Sequence, residues 1–169
     1  MKIYETKVEA GTKQWLKIPV DEECSLKAAA FCGSRPGKRL IVTAGVHGCE
    51  YIGILAVSRL IQELDPRQMK GEVVFLPIAN EGGFYKEIKQ LVPEDGVNLN
   101  RAFPGTEMGS RSAKIAAAVE TYLYPDADFL VDLHSGDIHE MVVPFAFFPV
   151  AAGETVEKKA AAAARAMSL

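Results

Sequence analysis

The sequence predicts an α/β fold: a mostly parallel or mixed sheet flanked by helices. Three observations carry this. Residues 39–45 (RLIVTAG), 72–79 (EVVFLPIA) and 127–133 (ADFLVDL) are short continuous apolar runs, the pattern of strands covered on both faces. Between them lie residues 49–64 and 110–124, whose apolar positions recur at helical spacing. Strand, helix, strand, helix, strand in that order requires crossover connections, and crossovers make parallel pairs. The 169 residues suit one core, so residues 1–169 are read as a single domain.

Taken in order, residues 14–20 (QWLKIPV) and 25–34 (SLKAAAFCGS) form two early strands separated by the polar turn DEEC. Residues 34–38 (SRPGK) are a turn by their Pro-Gly pair. The strand at 39–45 follows, then the helix at 49–64, which Asp65-Pro66 ends. After the strand at 72–79, NEGGF reads as a turn with two glycines. Residues 85–109 are polar and rich in Gly and Pro, a long surface loop of the kind that carries function. The helix at 110–124 sets Ile115, Val119, Tyr122 and Leu123 on its apolar side, and Pro125 stops it. The run at 127–133 is a third buried strand, and 141–150 (MVVPFAFFPV) a fourth. The Ala-rich tail from Glu154 is helical by propensity.

Charge and composition exclude several classes. A net charge of −3 gives no basic excess for nucleic acid. No apolar run reaches the roughly 20 residues that span a bilayer. The N-terminal MKIYETKVEAGTKQW is too charged for the core of a signal peptide. Cys24, Cys32 and Cys49 show no CxxC spacing, so reduced thiols in a cytoplasmic protein are expected.

In sheets of this kind, ligands gather beyond the carboxyl ends of the strands. Three polar segments belong there or near it. In TAGVHGCE, His47 and Glu50 stand three apart where strand turns to helix, so one helical turn sets an imidazole and a carboxylate side by side, able to share a cation. Gly45 and Gly48 allow the tight backbone this needs. In DLHSGD, His134 follows the third strand, and NLNRAFPG in the long loop offers Asn98, Asn100 and Arg101. An HxxE alone is weak, but the chain has three histidines and two of them sit at strand ends. Two His and one Glu make a common catalytic zinc shell that leaves one position open for water, whose pKa the zinc brings to about 7. Arg101 would hold a substrate carboxylate in a fork of two hydrogen bonds, and Asn100 would add a third.

His47-x-x-Glu50, then Asn100-Arg101 within NLNRAFPG, then His134 within DLHSGD resembles the succinylglutamate desuccinylase/aspartoacylase family, zinc amidohydrolases related to the metallocarboxypeptidases. The resemblance covers about residues 12 to 150. It implies that His47, Glu50 and His134 are zinc ligands and that Asn100 and Arg101 bind the substrate carboxylate. The implied reaction is hydrolysis of a small N-acyl amino acid, or a similar amide, to an acid and an amine. The chain departs from the family twice. Family members carry an arginine shortly before the Asn-Arg pair, whereas QLVPEDGVNLNR has none; Lys86 and Lys89 are near, but a lysine is a point charge rather than a fork. The family's general-base glutamate lies well beyond the third ligand, and AAGETVEKKAAAAARAMSL offers no strand-end glutamate. The chain is therefore read as the N-terminal part of such an enzyme, with its general base unidentified. Two rivals stand beside this reading: a module that binds metal and carboxylate without turnover, and a metal-free structural domain.

The other reactive side chains have plainer expectations. Cys49 reads as a small packed thiol rather than a nucleophile. Asp132, on the same strand face as His134, either orients a ligand imidazole or satisfies a buried turn. Asp137, His139 and Glu140 read as turn and loop residues, and GSRPGKR has the wrong spacing for a phosphate loop. The run at 141–150 is interior sheet or, without a partner, an association surface that would make a homo-oligomer.

Overall fold

The structure, a computed structural model, describes residues 1–167. They fall into two compact units, Met1–His139 and a second beginning at Glu140. The first opens with a small ribbon of β1 (Lys2–Ile3) and β2 (Thr6–Lys7). It continues through β3 (Thr12–Pro19), β4 (Ser25–Cys32), β5 (Arg35–Ala44), α1 (Tyr51–Glu63) and β6 (Lys70–Leu76). Next come α2 (Glu81–Tyr85), a ribbon of β7 (Leu91–Val92) and β8 (Val97–Asn98), a 3-10 turn at Leu99–Arg101, α3 (Arg111–Tyr122) and β9 (Phe129–Leu133).

One five-stranded sheet organises this unit, in the order β3-β4-β6-β5-β9. The fold class is α/β as expected, and the sheet is mixed. β5 pairs in parallel with both β6 and β9, while β4 runs antiparallel to β3 and to β6. Because successive strand residues point to opposite faces, each apolar run feeds two cores. Ile41, Val74 and Leu76 join Ile115, Ala116 and Val119 of α3, with Leu123 just past its end, on one side. Val42, Ala44 and Phe75 join Ile54, Val57 and Ile61 of α1 on the other. Each such large side chain, fully buried, stabilises the fold by roughly 1.5–3 kcal/mol relative to exposure. α1 ends where expected: Asp65 accepts from the Arg67 N–H and opens a 3-10 turn at Pro66–Gln68.

Four local expectations are corrected. SRPGK is not a turn but the start of β5, with a register shift between Arg35 and Arg39. A Cβ on Gly37 would lie 2.8 Å from Gly71 backbone, so this glycine serves a close strand approach rather than a bend. NEGGF is the short helix α2, because the Asn80 side chain accepts from the Gly83 N–H at 2.9 Å and caps it. β9 is not buried: it lies at the sheet edge, and Leu130 is 47% exposed.

The fourth correction lies in the second unit. Residues 141–150 form no strand and are exposed, Phe147 at 90%. Their apolar side chains favour a strand, but Pro144 and Pro149 withdraw ladder donors and no described strand pairs with them. The tail is helical as expected: α4 (Glu154–Ala166) carries Glu154 and Glu157 in its first turn and Arg165 in its last, matching the helix dipole. No helix among the described residues is long and apolar enough to cross a membrane.

α3 is tied to the β3–β4 turn by Asp21, which accepts from Arg111 at 2.7 Å and from the Cys24 N–H at 2.9 Å. The Arg111 hydrogen bond holds the Asp21 carboxyl at about 2, below its ordinary 3.8. A folded-state value below the unfolded one stabilises the fold above the unfolded value and is lost as pH falls through the folded one. Thermal unfolding should therefore show wild type losing more stability than Asp21→Asn on acidification from about pH 5 to about pH 2.5.

Candidate metal centre

The segment that joins β5 to α1 is shaped by two glycines. Gly45 takes a left-handed φ of +62°, and its carbonyl accepts from the Asn80 N–H at 2.9 Å. Gly48 lies so close to α2 that an added Cβ would come within 2.2 Å of the Gly83 carbonyl carbon. Between them the chain folds back, and the Glu50 N–H donates to the His47 carbonyl at 3.2 Å. Glu50 is the N-cap position of α1, where the helix dipole favours a carboxylate, and its side chain makes no cap bond. It is free to point at the sheet end.

There it meets His134, the residue after β9. His47 Nδ1 lies 2.7 Å from Glu50 Oε1, and His134 Nδ1 lies 2.8 Å from Oε2. The Ser135 N–H donates to the same Oε2 at 3.1 Å. One ligand atom from each of His47, Glu50 and His134 falls within 4.8 Å of the others. Among the described residues this is the group of His, Cys, Asp and Glu side chains placed to hold a metal ion.

Each imidazole is also gripped from behind. His47 Nε2–H donates to Asn98 Oδ1 at 3.0 Å, and His134 Nε2–H to Asp132 Oδ2 at 2.8 Å. Asn98 Oδ1 also accepts from the Asn100 N–H at 2.9 Å, which identifies it as the amide oxygen. Both rings therefore turn Nδ1 inward. Burial pushes the Glu50 carboxyl up, but the hydrogen bonds from His134, His47 and Ser135 outweigh it and hold the group at about 2. The Asp132 and Glu50 hydrogen bonds raise His134 to about 10 against the effect of burial. The Glu50 hydrogen bond likewise raises His47. A divalent cation fits among these three groups, because each offers it a lone pair and the outer hydrogen bonds orient the rings.

The structure gathers some expected residues and sets others apart. Asn100 and Arg101 lie exposed on the 3-10 turn, which buried Leu99 anchors. Cys49 is a buried thiol that accepts a hydrogen bond from the Tyr51 hydroxyl at 3.8 Å. Asp132 contacts His134. Asp137 is buried and paired with Lys89 at 2.8 Å, while Lys86 faces Glu94 at 3.6 Å. His139 is exposed. The sequence reading missed the part played by Asn98: an Asn two residues before the N–H it accepts from is an Asx-turn signal, which would have oriented its oxygen.

Residues 36–169 match the family model of the succinylglutamate desuccinylase/aspartoacylase catalytic domain. The chain is similar to an N-alpha-acetyl-L-2,4-diaminobutyric acid deacetylase from Halomonas elongata, 35% identical over 137 residues, which are 78% of this chain and 40% of that one. It is similar to the crystal structure of an aspartoacylase family protein from Mesorhizobium loti, at 35% identity and a TM-score of 0.64, covering 73% of this chain and 40% of that one. For a succinylglutamate desuccinylase/aspartoacylase from Rhodobacter sphaeroides, the values are 28%, 0.66, 80% and 44%. The chain thus spans less than half the length of these relatives.

Gly48→Ala should lower stability by about 3 kcal/mol or more, read from the urea midpoint, since the methyl meets backbone rather than a side chain that can swing away.

Proposed function

The chain belongs to the succinylglutamate desuccinylase/aspartoacylase family, and from that premise we propose that it holds the metal and the substrate in a zinc-dependent deacylase that hydrolyses a small N-acyl amino acid. The observation that carries this is the convergence of His47 Nδ1, the Glu50 carboxylate and His134 Nδ1 within 4.8 Å. A bound zinc supplies Lewis-acid chemistry, polarising a carbonyl and lowering the pKa of water. The chain's own residues supply the frame. His47, Glu50 and His134 hold the ion, and Asn98 and Asp132 keep the two rings turned toward it. The Arg101 guanidinium and the Asn100 amide, both open to solvent, anchor the substrate carboxylate. The name of the Halomonas elongata relative, a deacetylase of an N-acetylated amino acid, supports this substrate class. The three free cysteines support a reducing, cytoplasmic setting.

A second reading, a module that binds metal and carboxylate without turnover, draws support from one observation. Lys86 and Lys89, the cations nearest in sequence to the missing arginine, face Glu94 and Asp137.

Metal analysis of protein purified without chelator should find about one zinc per chain, lost in His134→Ala, because a three-ligand site rarely survives removal of a ligand. Absence of zinc from the wild-type protein would sink the proposal. Hydrolysis of N-acetyl amino acids, followed by amine release, separates the two readings: turnover selects the enzyme, zinc without turnover the module. In the active protein, Arg101→Ala should raise KM about ten- to a hundredfold with zinc content unchanged, the range expected for a hydrogen bond to a charged group.

A further inference from the structure

We propose that Thr43 is a positioning residue for the metal centre, acting on His134 through Asp132; this rests on the metal reading above. Thr43 on β5 is in register with Asp132 on β9, and side chains at partnered positions of adjacent strands share a face. Its Oγ1 lies 2.6 Å from Asp132 Oδ1, while Asp132 Oδ2 takes the His134 Nε2–H at 2.8 Å. An ionised carboxylate only accepts, so Asp132 takes one donor on each oxygen, the Thr43 hydroxyl on Oδ1 and the His134 Nε2–H on Oδ2.

Two features make this support necessary. Asp132 stands on an edge strand with its side chain 31% exposed, so the strand's own packing does not restrain it. It also borders a cavity of about 280 Å³, shared with Thr43, Glu120 and Tyr124, which gives the carboxylate room to swing away from His134. Thr43 is the fixed end: it is 2% exposed on β5, which is paired on both sides, and its β-branched side chain is stiff at χ1. Its hydroxyl closes the swing by holding the oxygen that His134 does not use. The ring then keeps Nδ1 toward Glu50.

The test uses the full chain and zinc alone, with affinity read by competition against a chromogenic chelator. Thr43→Val keeps the shape and removes the donor, and should weaken zinc binding about tenfold, the low end of what groups supporting a ligand are worth. Thr43→Ser keeps the donor and should stay within about threefold of wild type, the metal-free melting temperatures of all variants being compared alongside. Asp132→Ala should cost at least as much as Thr43→Val. In its background Thr43→Val should cost nothing further, since the valine then has no bond left to break. Equal zinc affinity in wild type and Thr43→Val overturns the proposal. So does an additive double mutant, or a serine variant as weak as the valine one, because either assigns the effect to packing. A wild-type protein that binds no zinc overturns the metal reading and this inference together, an outcome separate from a valine variant that binds as wild type does.

Discussion

A buried carboxylate organises the candidate metal centre of this molecule. Glu50 sits at the base of a helix, almost closed to solvent, and a lone ionised carboxylate there would cost several kcal/mol in lost hydration. The fold meets that demand with two imidazoles and one backbone N–H, drawn from segments 84 residues apart. The parallel pairing of β9 with β5 delivers His134, and the turn at Gly48 delivers His47. The hydrogen bonds that satisfy the carboxylate also gather the three groups that would hold a cation, and so prepare the site.

That preparation depends on backbone that tolerates no side chains. Gly48 touches α2, and Gly83 within α2 touches the Asn80 amide that caps it. The five-residue helix α2 thus acts as a wedge behind the His47 loop, and the residues just before it, Ala79 and Asn80, donate to the carbonyls of Ala44 and Gly45. The loop that carries His47 and Glu50 is thus packed glycine against backbone.

Much of this was legible in the residues. β5 and β6 announce themselves because both faces of the sheet are covered, which leaves no polar alternation to confuse the pattern. His47, Glu50 and His134 could be grouped because each stands where a strand ends. The errors have one origin: they concern what a segment meets, not what it is. The Pro-Gly pair in SRPGK favours a turn, but Gly71, far along the chain, receives Gly37 within a sheet. NEGGF is too short to show a helical period, and only the side chain of Asn80 decides it. Residues 127–133 and 141–150 are equally apolar, yet one pairs with β5 and the other has no described partner. The role of Asn98 was hidden for the same reason, since it reaches a histidine 51 residues away.

The oxygen of Asn98 has a further consequence. One atom accepts from His47 and from the N–H of Asn100, so the ring that faces the cation and the turn that carries Arg101 share a single point of attachment. On the proposed reading, a cation held by the ring and a carboxylate held by the turn would act on that one atom from two sides. Whatever factor the cation adds to the grip on a carboxylate, the carboxylate must return to the grip on the cation, because the cycle of binding free energies closes. On that reading the His47 loop and the Arg101 turn form one thermodynamic unit with two mouths.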